Sequence, residues 1–181
     1  MSLLAEEIVE EWLNRAGYFT IRGVKVGVHE IDLLAVRPVG KDRVERRHIE
    51  VQVSFRPVSY ITQVPKNVQK TARRGPANAK RRSEAELRDS VSEWIKKKYE
   101  LPPKMRLMRK LFPGDWTREL VVHMVRHEEE ILEIERSGVK VHRLRDVVQE
   151  MLRGPAIVEA AISGDFVDLV TLLNGRSGAD P

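Results

Sequence analysis

Apolar residues near the start of the chain recur at helical spacing. Leu4, Ile8, Val9, Trp12, Leu13 and Ala16 share one face, and Glu6, Glu7, Glu10 and Glu11 lie largely off it. This predicts a helix over 3–16, with Gly17 just past its end. The period then shortens to two. Residues 18–28, loosened by Gly23 and Gly27, read as a strand. Residues 30–36, stopped by Arg37-Pro38, read as a second strand, and 47–55, after a polar turn around Gly40, as a third. The three form a meander behind the helix.

From Tyr60 the pattern is helical and basic, through Val64, Val68 and Thr71, until Gly75-Pro76 breaks it. Ser83 followed by Glu86 is a capping-box signature. The helix it opens carries Leu87, Val91, Trp94 and Ile95 on one side and is ended by Pro102-Pro103. Residues 119–127 predict a strand, 128–136 a helix closed by Gly138, and 139–144 a fifth strand before a last helix ending near Gly154. Strand, helix and strand at such short separation imply a crossover, hence a parallel or mixed pair. The order αβββ, helical insertion, βαβα is that of an α/β fold with a central mixed sheet flanked by helices. It predicts a domain over 1–154, a helical insertion at about 56–117 and a short helical tail over 155–181.

Composition narrows the class. A hydrophobic fraction of 41% in 181 residues supports a buried core. No apolar run approaches the ~20 residues that span a bilayer, and the N-terminus lacks the basic start of a signal peptide. Cysteine is absent, which excludes disulfides and thiolate metal sites. A cytoplasmic protein is the expectation. The net charge of +5 conceals segregation: residues 66–110 hold fifteen Lys/Arg against five Asp/Glu, a local +10, and the remainder is net acidic. A basic segment of this kind suits a polyanion partner, because neutralised phosphates release counterions. The plainer alternative is a solvated helical face. Trp94, Trp116 and Tyr99 lie among these charges and could stack bases, although the spacing of Trp94 with Leu87 and Val91 places it in the core.

Candidate chemistry comes from strand alternation. Glu30 and Asp32 share one face of the second strand, and Glu50 and Gln52 share one face of the third. If these strands are neighbours, Asp32 and Glu50 converge. Carboxylates among apolar neighbours are expensive unless paired or metal-bound. Hard oxygen ligands suit Mg²⁺ or Mn²⁺, and the carbonyl of Val51 could add a third ligand. The alternative is a strand end in solvent, with Glu50 paired to Arg47 or to a helix lysine. Of the five histidines, His123 and His127 stand four apart on one face of a predicted strand, and His29, His48 and His142 are scattered. Without cysteine they make a poor zinc set.

Gly17-Tyr18, then Glu30-Ile31-Asp32-Leu33-Leu34-Ala35, then Ile49-Glu50-Val51-Gln52 resembles the PD-(D/E)XK, or restriction-endonuclease-like, superfamily. The nearest branch is that of the Holliday-junction resolvases, Mrr-type nucleases and RecB-like domains. The resemblance covers roughly residues 5–54. It implies a metal-dependent nuclease acting on DNA, with Asp32 and Glu50 as metal ligands. Glu6 falls at the glutamate of the family's early helix, and Glu10 is the fallback. Gln52 stands where the family has a catalytic lysine, so its positive charge is missing. Lys66 or Lys70 could supply that charge. Lys66, Lys70, Arg73, Arg74, Lys80, Arg81 and Arg82 are the candidate nucleic-acid contacts, and a homodimer is left open. A nuclease-fold module that binds nucleic acid without cutting it is the second reading. A toxin, mobile-element or defence component whose tail docks a partner is the third.

Overall fold

In the computed structural model the described residues are 2–54 and 56–153, so the expected tail over 155–181 lies outside them. Helix α1 (Ser2–Arg15) leads into β1 (Phe19–Val26), β2 (His29–Val39) and β3 (Arg43–Gln52). Three helices follow: α2 (Lys66–Thr71), α3 (Glu84–Lys98) and α4 (Pro102–Leu111). The chain continues through β4 (Thr117–Val122), α5 (Glu128–Arg136), β5 (Lys140–Arg143) and α6 (Leu144–Arg153). The strands lie in sequence order in one mixed sheet. β1, β2 and β3 pair antiparallel, and β4 and β5 add in parallel. The chain is α/β with a five-stranded sheet between helical layers, as its periodicity predicts.

One face of the sheet packs on α1 and α6. Ile8, Val9, Trp12 and Leu13 meet Leu33, Ala35, Ile49, Val51 and Val121, with Leu144, Val147 and Met151 from the far side. The opposite face takes α3 and α5, where Val91, Trp94, Ile95 and Tyr99 cover Leu120 and Val122 beside Ile131 and Ile134. Full burial of each large side chain contributes about 1.5–3 kcal/mol, so two such layers hold the sheet rigid from both sides. Trp94 and Tyr99 are core residues, 7% and 3% exposed. Among the described residues no helix is long and apolar enough to cross a membrane.

Several element boundaries differ from the sequence expectation. β2 runs through Pro38 to Val39, because β1 pairs with it only as far as Val36 and leaves an edge that tolerates proline. The helix expected from Tyr60 is confined to Lys66–Thr71. β4 ends at Val122, so His123 and His127 do not share a strand face; His127 precedes α5 at its N-cap position, without a side-chain capping bond, and stacks on Tyr60. Pro102 and Pro103 open α4 rather than merely ending α3, since proline suits a first helical turn whose N–H groups are unpaired anyway. The capping box does form: Ser83 accepts from the Glu86 N–H, and the Glu86 carboxylate accepts from the Ser83 N–H.

Candidate active site

The antiparallel ladder between β2 and β3 stops at Leu33 opposite Ile49. One step further, Asp32 and Glu50 would stand opposite each other on one face, at the end where β3 also finishes its parallel pairing with β4. The strands part there, and the Val51 N–H donates to Asp32 Oδ2 at 2.8 Å. In extended backbone the N–H and C=O of one residue serve the same edge of the strand, so the Val51 carbonyl faces the same gap. Asp32, Glu50 and Val51, singled out from strand alternation, are thus brought together.

Glu50 is fully buried and its carboxylate is already partnered. Lys98 Nζ lies 2.5 Å from Oε2, and Lys104 Nζ lies 3.0 Å from Oε1. His48, two residues back on the same face, lies with Nε2 3.2 Å from Oε1. An ionised carboxylate can only accept, so that nitrogen carries the proton and donates. Burial alone would raise the Glu50 carboxyl, but the His48 hydrogen bond and the two ammoniums reverse this and hold it at about 2. Asp32 has the opposite fate. Burial, followed by the charge on Glu50, pushes it from 3.8 to about 7, against the Val51 N–H and Lys98. Burial also keeps the His48 imidazole below its ordinary value despite Glu50.

Lys98 and Lys104 were not among the sequence candidates. Both arrive from the insertion, Lys98 at the last turn of α3 and Lys104 one turn into α4. Lys104 is 1% exposed and also donates to the Lys98 carbonyl at 2.9 Å, so it is an internal counter-ion. Met108, four residues on and on the same helical face, packs against Ile31 and Leu34 and seats α4 on the sheet. The only signal in the sequence was that spacing, hidden behind two prolines. The expectation that a helix lysine pairs with Glu50 is met. Arg47 instead grips Glu119 through both arms of its guanidinium, at 2.8 and 2.5 Å.

The remaining candidates divide. Glu6 makes no described hydrogen bond, and its charge adds a small upward push on Asp32. Glu10, the fallback, is committed to Thr20 and Arg22. Gln52, Lys66 and Lys98 line one cavity of about 610 Å³, whereas Lys70 does not reach it. Lys70, Arg73, Lys80 and Arg81 are exposed on the insertion, and Arg74 is half-buried against Glu86 at 2.7 Å. Arg82 does not belong to that surface. It is 8% exposed and donates to Thr62 Oγ1, the Thr62 carbonyl and Ser90 Oγ.

The donor set can be weighed against a divalent cation. Among the described residues no three His, Asp or Glu side chains are gathered for a metal. Mg²⁺ nevertheless needs only one or two carboxylates when waters and substrate phosphate complete its shell. Asp32 Oδ1 has no hydrogen-bond partner among the described residues, and the burial and the Glu50 charge that raise its pKa are what a cation would offset. The residues fit such an ion, provided Lys98 yields Glu50 Oε2.

Comparisons with known proteins add little. No family model matches the chain, and no curated protein matches it. A crystal structure described as a protein of unknown function, AF1548, is similar over 93% of this chain and 76% of its own, at 17% identity and a TM-score of 0.41. A likeness that distant bears on neither function nor fold family.

Proposed function

We propose that this protein is a metal-dependent nuclease of the PD-(D/E)XK type that hydrolyses phosphodiester bonds in DNA. The observation that carries the reading is the approach of Asp32 to Glu50 where β2 and β3 part, with lysine ammoniums and Gln52 around them. Asp32, Glu50 and the Val51 carbonyl would hold Mg²⁺ or Mn²⁺. Such an ion supplies Lewis-acid polarisation of the phosphate and a lowered pKa for a bound water.

The residues themselves supply the rest. Gln52 orients a water by hydrogen bonding but brings no charge. Lys98 brings the charge from α3, and on giving up Glu50 its ammonium faces the non-bridging oxygens of the scissile phosphate. Lys104 and His48 stay on Glu50 and keep it ionised and fixed. Glu6 approaches from α1 and helps order water beside Asp32. Lys70, Arg73, Lys80 and Arg81 contact the phosphate backbone.

The test is cleavage of linear, branched and single-stranded DNA with Mg²⁺ or Mn²⁺. Wild type should cut, and Asp32→Ala and Glu50→Ala should each abolish cutting. Equal cleavage by the variants would end the assignment. A second reading, a nuclease-fold module that binds without cutting, is favoured by one feature. Glu50 already has its oxygens taken by Lys98, Lys104 and His48. A wild type that binds DNA but cuts no substrate with either metal would establish it.

A further inference from the structure

The cavity beside Gln52 has a shape and a wall that the nuclease reading does not require. Its ≈ 610 Å³ falls within the ~300–1,000 Å³ of small-ligand pockets. That is room for a nucleotide but not for a duplex. Trp94, Ile61 and Leu101 supply apolar surface, Gln52 and Gln63 supply hydrogen-bonding groups, and Lys66, Lys97 and Lys98 supply positive charge. Glu93, also in the lining, accepts from the Lys66 backbone N–H at 3.1 Å and is spent on closing the loop.

The wall formed by Ile61 and Gln63 is held from behind by buried charge. Glu130, with no exposed surface, accepts from the Ile61 N–H at 2.7 Å and from the Thr62 N–H and hydroxyl at 2.9 and 2.5 Å. Arg82 donates to the Thr62 carbonyl at 2.8 Å and stands 3.8 Å from Glu130. A buried carboxylate and guanidinium are costly ways to hold an ordinary surface loop. They are well suited to keeping a recognition wall preformed, which spares the ordering cost on binding.

We infer that this cavity receives an unpaired nucleotide of the strand to be cut, so the substrate is single-stranded or locally unpaired at the cleavage point. The inference rests on the nuclease reading for the placement of the scissile phosphate beside Lys98, but the binding it describes needs no cleavage. Bases in a duplex are stacked inward and must be extruded to enter a pocket, at a cost of a few kcal/mol, whereas an unpaired base enters freely. Cations at the rim and a mixed polar and apolar interior are what a single strand engages.

The test uses the full chain in EDTA and fluorescence anisotropy with three probes: labelled oligothymidylate, its duplex with oligoadenylate, and labelled oligouridylate. Oligothymidylate should bind about tenfold tighter than the duplex at equal salt. Gln63→Glu places a carboxylate in the lining of the cavity. It should remove that advantage while changing duplex affinity less than about twofold, and Lys97→Glu provides the same test from the rim. Oligouridylate binding with the same sensitivity to Gln63→Glu would support the pocket and extend its ligand to RNA. Equal affinity for single strand and duplex, or no response to either substitution, overturns the inference. Single-strand preference without cleavage under Mg²⁺ or Mn²⁺ would sink the nuclease reading and leave the pocket standing. Duplex cleavage without that preference would do the reverse.

Discussion

Asp32→Asn should stabilise the protein while removing the proposed cation ligand. Burial and the neighbouring Glu50 charge move this carboxyl from 3.8 to about 7. Between those values the native state holds a proton that the unfolded chain releases. Native stability therefore falls as pH rises through that window. An interval of roughly three pH units corresponds to about 4 kcal/mol above pH 7, as an upper bound. Asparagine keeps an acceptor for the Val51 N–H, though a neutral and weaker one, which gives back about 1 kcal/mol. The net gain at pH 8 is then about 2–3 kcal/mol, roughly 5–10 °C in Tm for a chain of this size. The control is internal. Glu50, lowered from 4.5 to about 2, contributes stability that is present above pH 4.5 and lost as pH falls through 2. It therefore does not change between pH 5 and pH 8. Denaturant unfolding at those two pH values should show wild type losing about 3 kcal/mol more than Asp32→Asn, since roughly two pH units of the Asp32 window lie above pH 5. Adding Mn²⁺ at pH 8 should recover stability in wild type alone, through ligand linkage. A stability difference between the two proteins that is the same at pH 5 and pH 8 would refute the coupled-carboxylate account, whatever the activity.

The catalytic charge and the basic surface give two more predictions. Lys98→Ala should slow cleavage about 10²–10³-fold with little change in DNA affinity. Gln52→Lys should rescue that variant, whereas Lys66→Ala and Lys70→Ala should leave the rate near wild type; an unrescued double variant would show that Lys98 only holds Glu50 in place. Reversing Arg73, Lys80 and Arg81 to glutamate should flatten the dependence of log K on log[salt] at unchanged stability, while Arg82→Ala should cost about 3 kcal/mol by leaving Glu130 buried without its cation; the swapped pattern would mean that burial misplaces the DNA surface.

Local chemistry in the sequence was enough for the order of the strands, the mixed sheet, the capping box at Ser83 and the convergence of Asp32 with Glu50. Each follows from a short-range rule: helical or alternating periodicity, a cap three residues from its partner, or side chains that alternate across neighbouring strands. The short-range signal ran out in the insertion. Lys98 and Lys104 lie 48 and 54 residues from Glu50 in sequence, and nothing local marks them among fifteen basic residues between 66 and 110. Charge density alone assigned Arg82 to the nucleic-acid surface and gave no sign of Glu130 beneath it. Two prolines hid α4, the helix that delivers Lys104 and whose Met108 seats it on the sheet. Only packing decides which members of a uniformly basic segment face inward, because desolvating a cation is tolerable only where a carboxylate already waits. β3 brings Glu50 and α5 brings Glu130, and only the tertiary fold brings the cations to them.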